Sequence, residues 1–171
     1  RFDFFAVSLN LCSKLNGVNK RRKRVSIGLG QEFNLTCIGK FLEHIYKLGH
    51  IGNQVVNMVR EQHKYQDQTG NLTSSVGYVI VVNGEVVQES AFEAILPTAK
   101  EGSEAGRSFA HSLANQYPQG ITLIVVAGMN YAVYVEAKNL GGMTAGEIKA
   151  KDLVQSFLQR LNEADSTQST E

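Results

Sequence analysis

The sequence predicts an α+β fold, in which a small antiparallel-rich sheet packs against a long N-terminal-side helix and a C-terminal helix. Three observations predict it: a long stretch of apolar residues at helical spacing, an Asn-Gly turn between two strand-like runs, and a capped helical pattern near the C-terminus. Of the 171 residues, 43% are hydrophobic, so the chain is long and apolar enough for one packed domain.

The long helix is predicted from Ile38, because apolar residues recur from there to Val59 with the spacing of one helical face. A polar turn at residues 66–71 ends this pattern. Residues 76–82 form an apolar, β-branched run, and Asn83-Gly84 favours a two-residue hairpin because both positions tolerate a positive φ. We therefore expect a buried strand and a return strand over residues 85–92.

The second half of the chain predicts a helix, two strands and a final helix. The first of these helices ends at Pro118, which cannot continue a helix. Strands are expected at residues 121–127 and 131–136, and Thr144 and Glu147 match a capping box at the start of the last helix. The predicted order is α-β-β-α-β-β-α. The apolar faces of the two helices consist of Ala105, Phe109, Ala110, Leu113 and Tyr117, and of Ala150, Val154, Phe157, Leu158 and Leu161.

Three parts of the chain are distinguished by pattern: an extended or partner-ordered arm at 1–34, one α+β domain at 35–164, and a flexible polar tail at 165–171. In the arm, apolar residues precede a basic cluster, which is the reverse of a signal peptide. The cluster fits either a solvated arm or an arm that contacts phosphates or a partner's acidic surface. It consists of Lys20, Arg21, Arg22, Lys23 and Arg24.

Composition excludes several classes of protein. The net charge of +1 disfavours a dedicated nucleic-acid binder. No apolar run reaches the roughly 18 residues of a membrane span, so no membrane partner is expected. Cys12 and Cys37 lack the spacing of a zinc site or a disulfide scaffold. The 16 glycines indicate many turns, caps and close backbone contacts.

No catalytic, metal or cofactor site is predicted. Glu136 and Lys138 resemble the Glu-x-Lys of metal-dependent nucleases, but residues 121–135 hold no second acid for the metal. The four histidines, which lack metal-ligand spacing, are expected at the surface or rim: His44, His50, His63 and His111. The hydroxyls of Thr73, Ser74 and Ser75 lack a nucleophile elbow, and no phosphate-binding glycine loop occurs. This pattern favours a binding or assembly module.

Two segments carry a resemblance to a known family. Residues 69–77 read TGNLTSSVG, preceded by Asp67, and residues 130–136 read NYAVYVE. They resemble the T-G-x-L-x-x-S-I turn and the Y-A-x-Y-V-E signature of the tail-completion (head–tail joining, or neck) proteins of tailed bacteriophages or prophages. The resemblance covers about residues 41–161. The chain departs from the family after Glu136, where Ala137-Lys138 replaces F-G-T, and at residues 141–144, where GGMT replaces a Pro-rich stretch.

The resemblance implies a structural virion protein, not an enzyme, with no cofactor. Family members are associated with rings at the neck, so the implied partners are other copies of the chain, the portal or head connector, and the tail tube. The implied location is the virion, after assembly in the cytoplasm of a bacterial host. The motif residues are expected to form the fold: Thr69 and Gly70 the turn, Leu72 and Val76 core contacts, Tyr131 and Tyr134 edge packing, and Glu136 a local cap or pair.

Two alternatives remain open at this point. One is a nucleic-acid-binding module, in which the arm Lys20–Arg24 makes non-specific contact with DNA. The other is a metal-dependent nuclease built on Glu136 and Lys138.

Overall fold

A computed structural model describes residues 3–9, 24–27 and 31–167. Its centre is a four-stranded antiparallel sheet with the strand order β1-β6-β4-β5, and β2 and β3 form a separate hairpin. The strands are β1 (Asp3–Leu9), β2 (Arg24–Ile27), β3 (Gln31–Asn34), β4 (Val76–Val82), β5 (Glu85–Glu89) and β6 (Ile121–Ala127). The helices are α1 (Leu35–Gln62), α2 (Asn71–Ser74), α3 (Lys100–Leu113), α4 (Ala132–Ala137) and α5 (Met143–Thr167), with a 3-10 turn at Ala114–Gln116. The predicted α+β class is confirmed.

Both faces of the sheet are covered by helices. Tyr78 and Ile80 of β4 pack in one core with α1 and α5, whereas Val79 and Val81 pack in a second core with α3. This alternation follows from the pleat, which points successive side chains to opposite faces. Because neither face meets water, β4 and β6 read as continuous apolar runs.

Helix α1 runs antiparallel to β4. The Arg60 Nη2 donates a 2.7 Å hydrogen bond to the carbonyl of Val76, where β4 begins. Earlier in α1, Gly52 lies against the ring of Tyr78 in β4, so close that a Cβ on Gly52 would clash with that ring. The C-terminus of α1 therefore lies where β4 begins and β6 ends, and we call this the Val76 end of the sheet.

Helix α3 packs on α2 and β6 through glycines. A Cβ on Gly102 or Gly106 would lie well under 3.0 Å from backbone atoms of Asn71 or Ser75, respectively. A Cβ on Gly128, just after β6, would meet the backbone of Gly106 in the same way. These three glycines let the backbones approach closely, as the glycine count indicates.

Part of the predicted arm belongs to the sheet. Residues 3–9 were expected outside the domain, but β1 pairs with β6 from Asp3↔Ala127 to Leu9↔Ile121. Phe5 is buried between the sheet and α5, which supplies the apolar contact that holds this edge strand. The partner strand is more than 100 residues away, so local sequence pattern did not reveal the pairing.

The predicted strand at 131–136 is wrong, because residues 132–137 form helix α4. Six residues are too few to separate strand and helix by periodicity. The hairpin is confirmed, with φ of 51° at Asn83 and 89° at Gly84. Its return strand ends at Glu89 rather than 92, because Phe92 turns away with a positive φ and places its ring over Gly77.

The last helix extends beyond the predicted domain end at 164. Helix α5 continues through Thr167, since no glycine or proline interrupts residues 147–167. The basic residues Lys20–Lys23 and Cys12 lie outside the described residues, and of Arg24 only the backbone is described.

Candidate functional site at the Val76 end

The first family-like segment, residues 69–77, forms a tight turn, helix α2 and the start of β4. Gly70 has a φ of +72°, which a residue with a side chain rarely adopts, and this confirms the predicted turn. Leu72 and Val76 are buried in the core with α1 and α5, as expected.

Side chains around α2 fix this segment. The backbone amide of Thr73 donates to Oδ2 of Asp67 at 2.8 Å, and the backbone amide of Asn71 donates to the Thr69 hydroxyl at 3.3 Å. The Tyr65 hydroxyl lies 3.2 Å from the Thr73 hydroxyl. Burial raises the pKa of Tyr65 to about 12 despite that hydrogen bond, so the phenol is neutral at physiological pH. Asp67 thus satisfies one free amide of α2 from outside the helix, three residues before its N-cap residue Gly70.

The remaining hydroxyls of this segment also serve the fold. Ser74 Oγ accepts from the backbone amide of Ile95 at 3.0 Å, and Ser75 Oγ donates to the carbonyl of Leu72 at 2.7 Å. Both serines are fully buried. No base activates them in the described part of the chain, and their predicted role in turn and strand-start structure is confirmed.

The second family-like segment, residues 130–136, forms α4 and its start. Ala132 is buried, but Tyr131 is 37% exposed and Tyr134 is 68% exposed. The expected edge packing of these two tyrosine rings therefore stays a prediction. Tyr131 is the residue directly before α4, at its N-cap position, and Tyr134 lies within the first turn of the helix.

Glu136 caps helix α5. Its two carboxylate oxygens accept hydrogen bonds from the backbone amides of Met143, at 3.2 Å, and Thr144, at 2.9 Å. A carboxylate at a helix N-terminus satisfies free amides and is favoured by the helix dipole. The predicted local cap is confirmed, whereas the capping box at Thr144 and Glu147 is wrong because Glu136 takes that place. This geometry differs from the nuclease alternative, which requires a strand-borne carboxylate free to bind a metal.

The structure brings the two family-like segments together. Leu72 and Val76 from the first segment and Ala132, Val135 and Glu136 from the second line one small cavity. Burial raises the pKa of the Tyr131 phenol, and the charges of Asp67 and then Glu101 raise that pKa further.

The histidines do not converge. His44 is buried, contrary to the expected surface position, and its ring packs edge-on against Phe157 with 5.6 Å between centroids. His50 and His111 are exposed, and His63 is half-buried. Among the residues that the structure describes, no group of three or more His, Cys, Asp or Glu is placed to hold a metal ion.

One polar cluster was not found by sequence reasoning. Glu89 on β5 accepts from Arg107 and from Nε2 of His111, the latter at 2.6 Å. Burial acts to raise the pKa of Glu89, but the hydrogen bonds from His111 and Arg107 outweigh it, so that pKa is lowered. The only sequence signal is that the two donors are four residues apart on one helix. The cluster is solvent-exposed, so it contributes little to stability.

Comparison with known proteins gives no assignment: no family model, no curated protein and no solved structure matches the chain. Within the described ranges, none of the helices combines the length and apolar character needed to cross a membrane.

Proposed function

We propose that this chain is a structural virion protein of a tailed bacteriophage, a subunit of a neck or tail-completion ring that joins the head connector to the tail. One observation supports the proposal most. The two segments that resemble the family's signatures lie far apart in sequence but pack around one cavity at the Val76 end. The two segments therefore contribute to one part of the fold, as residues of a shared family signature are expected to do.

The chemistry of this end also favours assembly over turnover. Asp67, which precedes the first segment, and Glu136, which ends the second, both accept hydrogen bonds from backbone amides at helix starts. Tyr131 and Tyr134 are the side chains of these segments that reach solvent as large aromatic groups. Exposed tyrosines beside a rigid scaffold are typical of protein interfaces.

Deletion of the gene from its phage or prophage tests the proposal. We expect filled heads and free tails that fail to join, visible by negative-stain electron microscopy. Expression of the wild-type chain in trans should restore joined particles, and so should the Gly39→Ala variant, which changes an exposed helix position with open space around it. Normal, joined virions from the deletion strain would contradict the proposed function.

A further inference from the structure

Strands β1 and β5 are the two edges of the four-stranded sheet, and within the described residues each pairs on one side alone. The backbone N–H and C=O groups on the outer side of an edge strand are a template for another strand. Helices already cover both faces of the sheet, so this sheet can extend only at its edges.

The outer side of β5 presents the backbone groups of Val86 and Glu89. The amide of Ser90 donates to the carbonyl of Tyr78 in β4 at 2.9 Å. Because inward and outward groups alternate along an antiparallel strand, the groups of Glu89 point away from β4. Glu85 closes the two-residue hairpin by pairing with β4, so the groups of Val86 point outward as well.

The outer side of β1 presents the backbone groups of Phe4, Ala6 and Ser8. The amide of Gly128 donates to the carbonyl of Ser75 at 3.2 Å, so the even-numbered residues of β6 direct their groups to β4. The odd-numbered residues of β6 direct theirs to β1, where they pair with odd-numbered residues. The even-numbered residues of β1 therefore point outward.

A second copy in the same orientation can continue the sheet. The four strands alternate in direction, so β1 and β5 run in opposite directions, and β1 of a neighbour placed beside β5 keeps the alternation. At equal height in the sheet, Ala6 is level with Glu89 and Ser8 is level with Val86, through the registers of β6 and β4. All four residues have outward backbone groups, so these groups meet as hydrogen-bonding pairs.

The helices that cover one face fit the same repeat. Helix α1 lies over β4, where Gly52 meets Tyr78, and α5 lies over β1, where Phe5 Cε1 is 3.6 Å from where a Cβ on Gly146 would stand. These strands are two positions apart, or about 10 Å, which is the usual distance between packed helices. The β1 of a neighbour beside β5 is again two positions from β4, so its α5 would pack beside α1. Four strands span about 19 Å and two helices about 20 Å, so both layers repeat together.

Exposed apolar side chains of α1 lie where this neighbouring helix would pack. Gly49 of α1 lies against the side chain of Gln88 in β5, which identifies the side of α1 that faces this edge. Leu42 and Tyr46 precede Gly49 by seven and three residues and so share that side. They are 59% and 75% exposed. The α5 helix of a neighbour at β5 would cover both.

The two other antiparallel edge pairings do not fit the helices. Pairing of β1 with β1 would leave two α5 helices one strand apart, or about 5 Å, which is half the distance that packed helices need. Pairing of β5 with β5 would leave two α1 helices three strands apart, or about 14 Å, with a gap between them. Only β5 with β1 gives the spacing at which helices pack.

The charges along the two edges are compatible with this pairing. In the level register, Glu85 lies opposite Leu9 and Glu89 lies opposite Ala6, whereas Asp3 lies beyond the end of β5. Glu89 also keeps its two cationic partners from α3. The pairing therefore sets no like charges directly opposite each other, which would destabilise it.

We propose that the β5 edge of one copy pairs with the β1 edge of a second copy, so that the sheet and the layer of α1 and α5 continue from copy to copy. The contact is head-to-tail. A heterologous contact of this kind closes into a ring when the rotation between copies allows it. The inference rests on the proposed ring function and names the surfaces that form the ring.

Proline on the outer side of each edge tests the contact. Ala6→Pro and Val86→Pro each remove an outward amide, which an edge strand tolerates, and keep the amides that pair within the copy. We expect each variant alone to self-associate with a Kd raised about tenfold or more, measured by sedimentation equilibrium. A mixture of the two should form dimers with the wild-type Kd and nothing larger, because the first variant keeps its β5 edge and the second keeps its β1 edge.

Matched controls separate the lost amide from the changed side chain. Ala6→Gly and Val86→Ala keep the outward amide and should leave the Kd close to that of the wild type. Circular dichroism checks that all four variants are folded.

Disulfide formation provides a second measurement that needs no proline. Val7 and Gln88 are level in the proposed register, and both point their backbone groups inward, so their Cα atoms would lie about 4.5 Å apart, within reach of a disulfide. With Cys12 and Cys37 changed to serine, a Val7→Cys chain and an isotopically labelled Gln88→Cys chain are mixed and oxidised. We expect a disulfide between the two chains by mass spectrometry. Ser156→Cys, exposed on α5, should form none with Gln88→Cys.

The outcomes separate this inference from the proposed function. A disulfide that forms only between identical variants, association that neither proline weakens, or a wild-type chain that stays monomeric overturns the edge contact. The proposed function then stands or falls by the deletion strain alone. Joined virions from that strain overturn the neck function, whereas proline complementation together with the mixed disulfide supports the edge contact in either case.

Discussion

Replacement of Gly106 by alanine is expected to destabilise the protein, although alanine is the better helix former. In an open helix position, Gly→Ala adds about 0.5–1 kcal/mol of stability. At Gly106, however, the new Cβ would lie under 3.0 Å from the carbonyl oxygen, carbonyl carbon and Cα of Ser75. These are backbone atoms that cannot rotate away, so α3 must shift, and such overpacking costs about 1–3 kcal/mol.

The net expectation for Gly106→Ala is a loss of about 1–2 kcal/mol in the free energy of unfolding. Gly39→Ala is the matched control, because a Cβ at Gly39 meets nothing within 4 Å. That variant should gain about 0.5–1 kcal/mol. The two alanine variants should therefore differ by about 5–10 °C in Tm.

Urea denaturation followed by circular dichroism measures both variants, with unchanged m values as the check that unfolding remains two-state. A Gly106→Ala protein that is as stable as the wild type would refute the close approach of α3 to Ser75.

Three further predictions concern the Val76 end. Glu136→Ala removes both hydrogen bonds that this carboxylate accepts from the first amides of α5, and it should lower the free energy of unfolding by about 1–2 kcal/mol in urea denaturation. Glu136→Gln should lower it less. Equal stability of all three chains would contradict the cap. Gly70→Ala places a side chain at a φ of +72° and should cost about 1–2 kcal/mol in the same assay, and an unchanged midpoint would show that the turn relaxes freely. Burial and the nearby Glu136 raise the pKa of Asp3, so the folded state binds its proton more tightly than the unfolded state, and stability declines as pH rises through the folded pKa. Asp3→Asn should therefore be more stable than the wild type near pH 7, with the difference vanishing below about pH 4; a difference independent of pH would count against this cause.

Sequence pattern predicted the parts of the fold that depend on neighbouring residues. Local sequence properties predicted α1 from its spacing of apolar residues, the turn from Asn83-Gly84, and β6 from its apolar run. All three elements form as expected. The same holds for Gly70, which was expected to form the turn after the long helix and does so with a φ of +72°.

What the sequence left undecided depends on partners that are distant in the chain. Strand β1 joins the sheet through β6, and residues 132–137 form a helix because Ala132 and Val135 pack at the Val76 end. Glu136 became the cap of α5 because folding placed it over the first amides of that helix. The sequence by itself determined the α+β class and the main helices, and it singled out residues 69–77 and 130–136 as two segments of interest. Only the tertiary structure decided that those segments share one end of the sheet, since that depends on packing between residues that no local pattern connects.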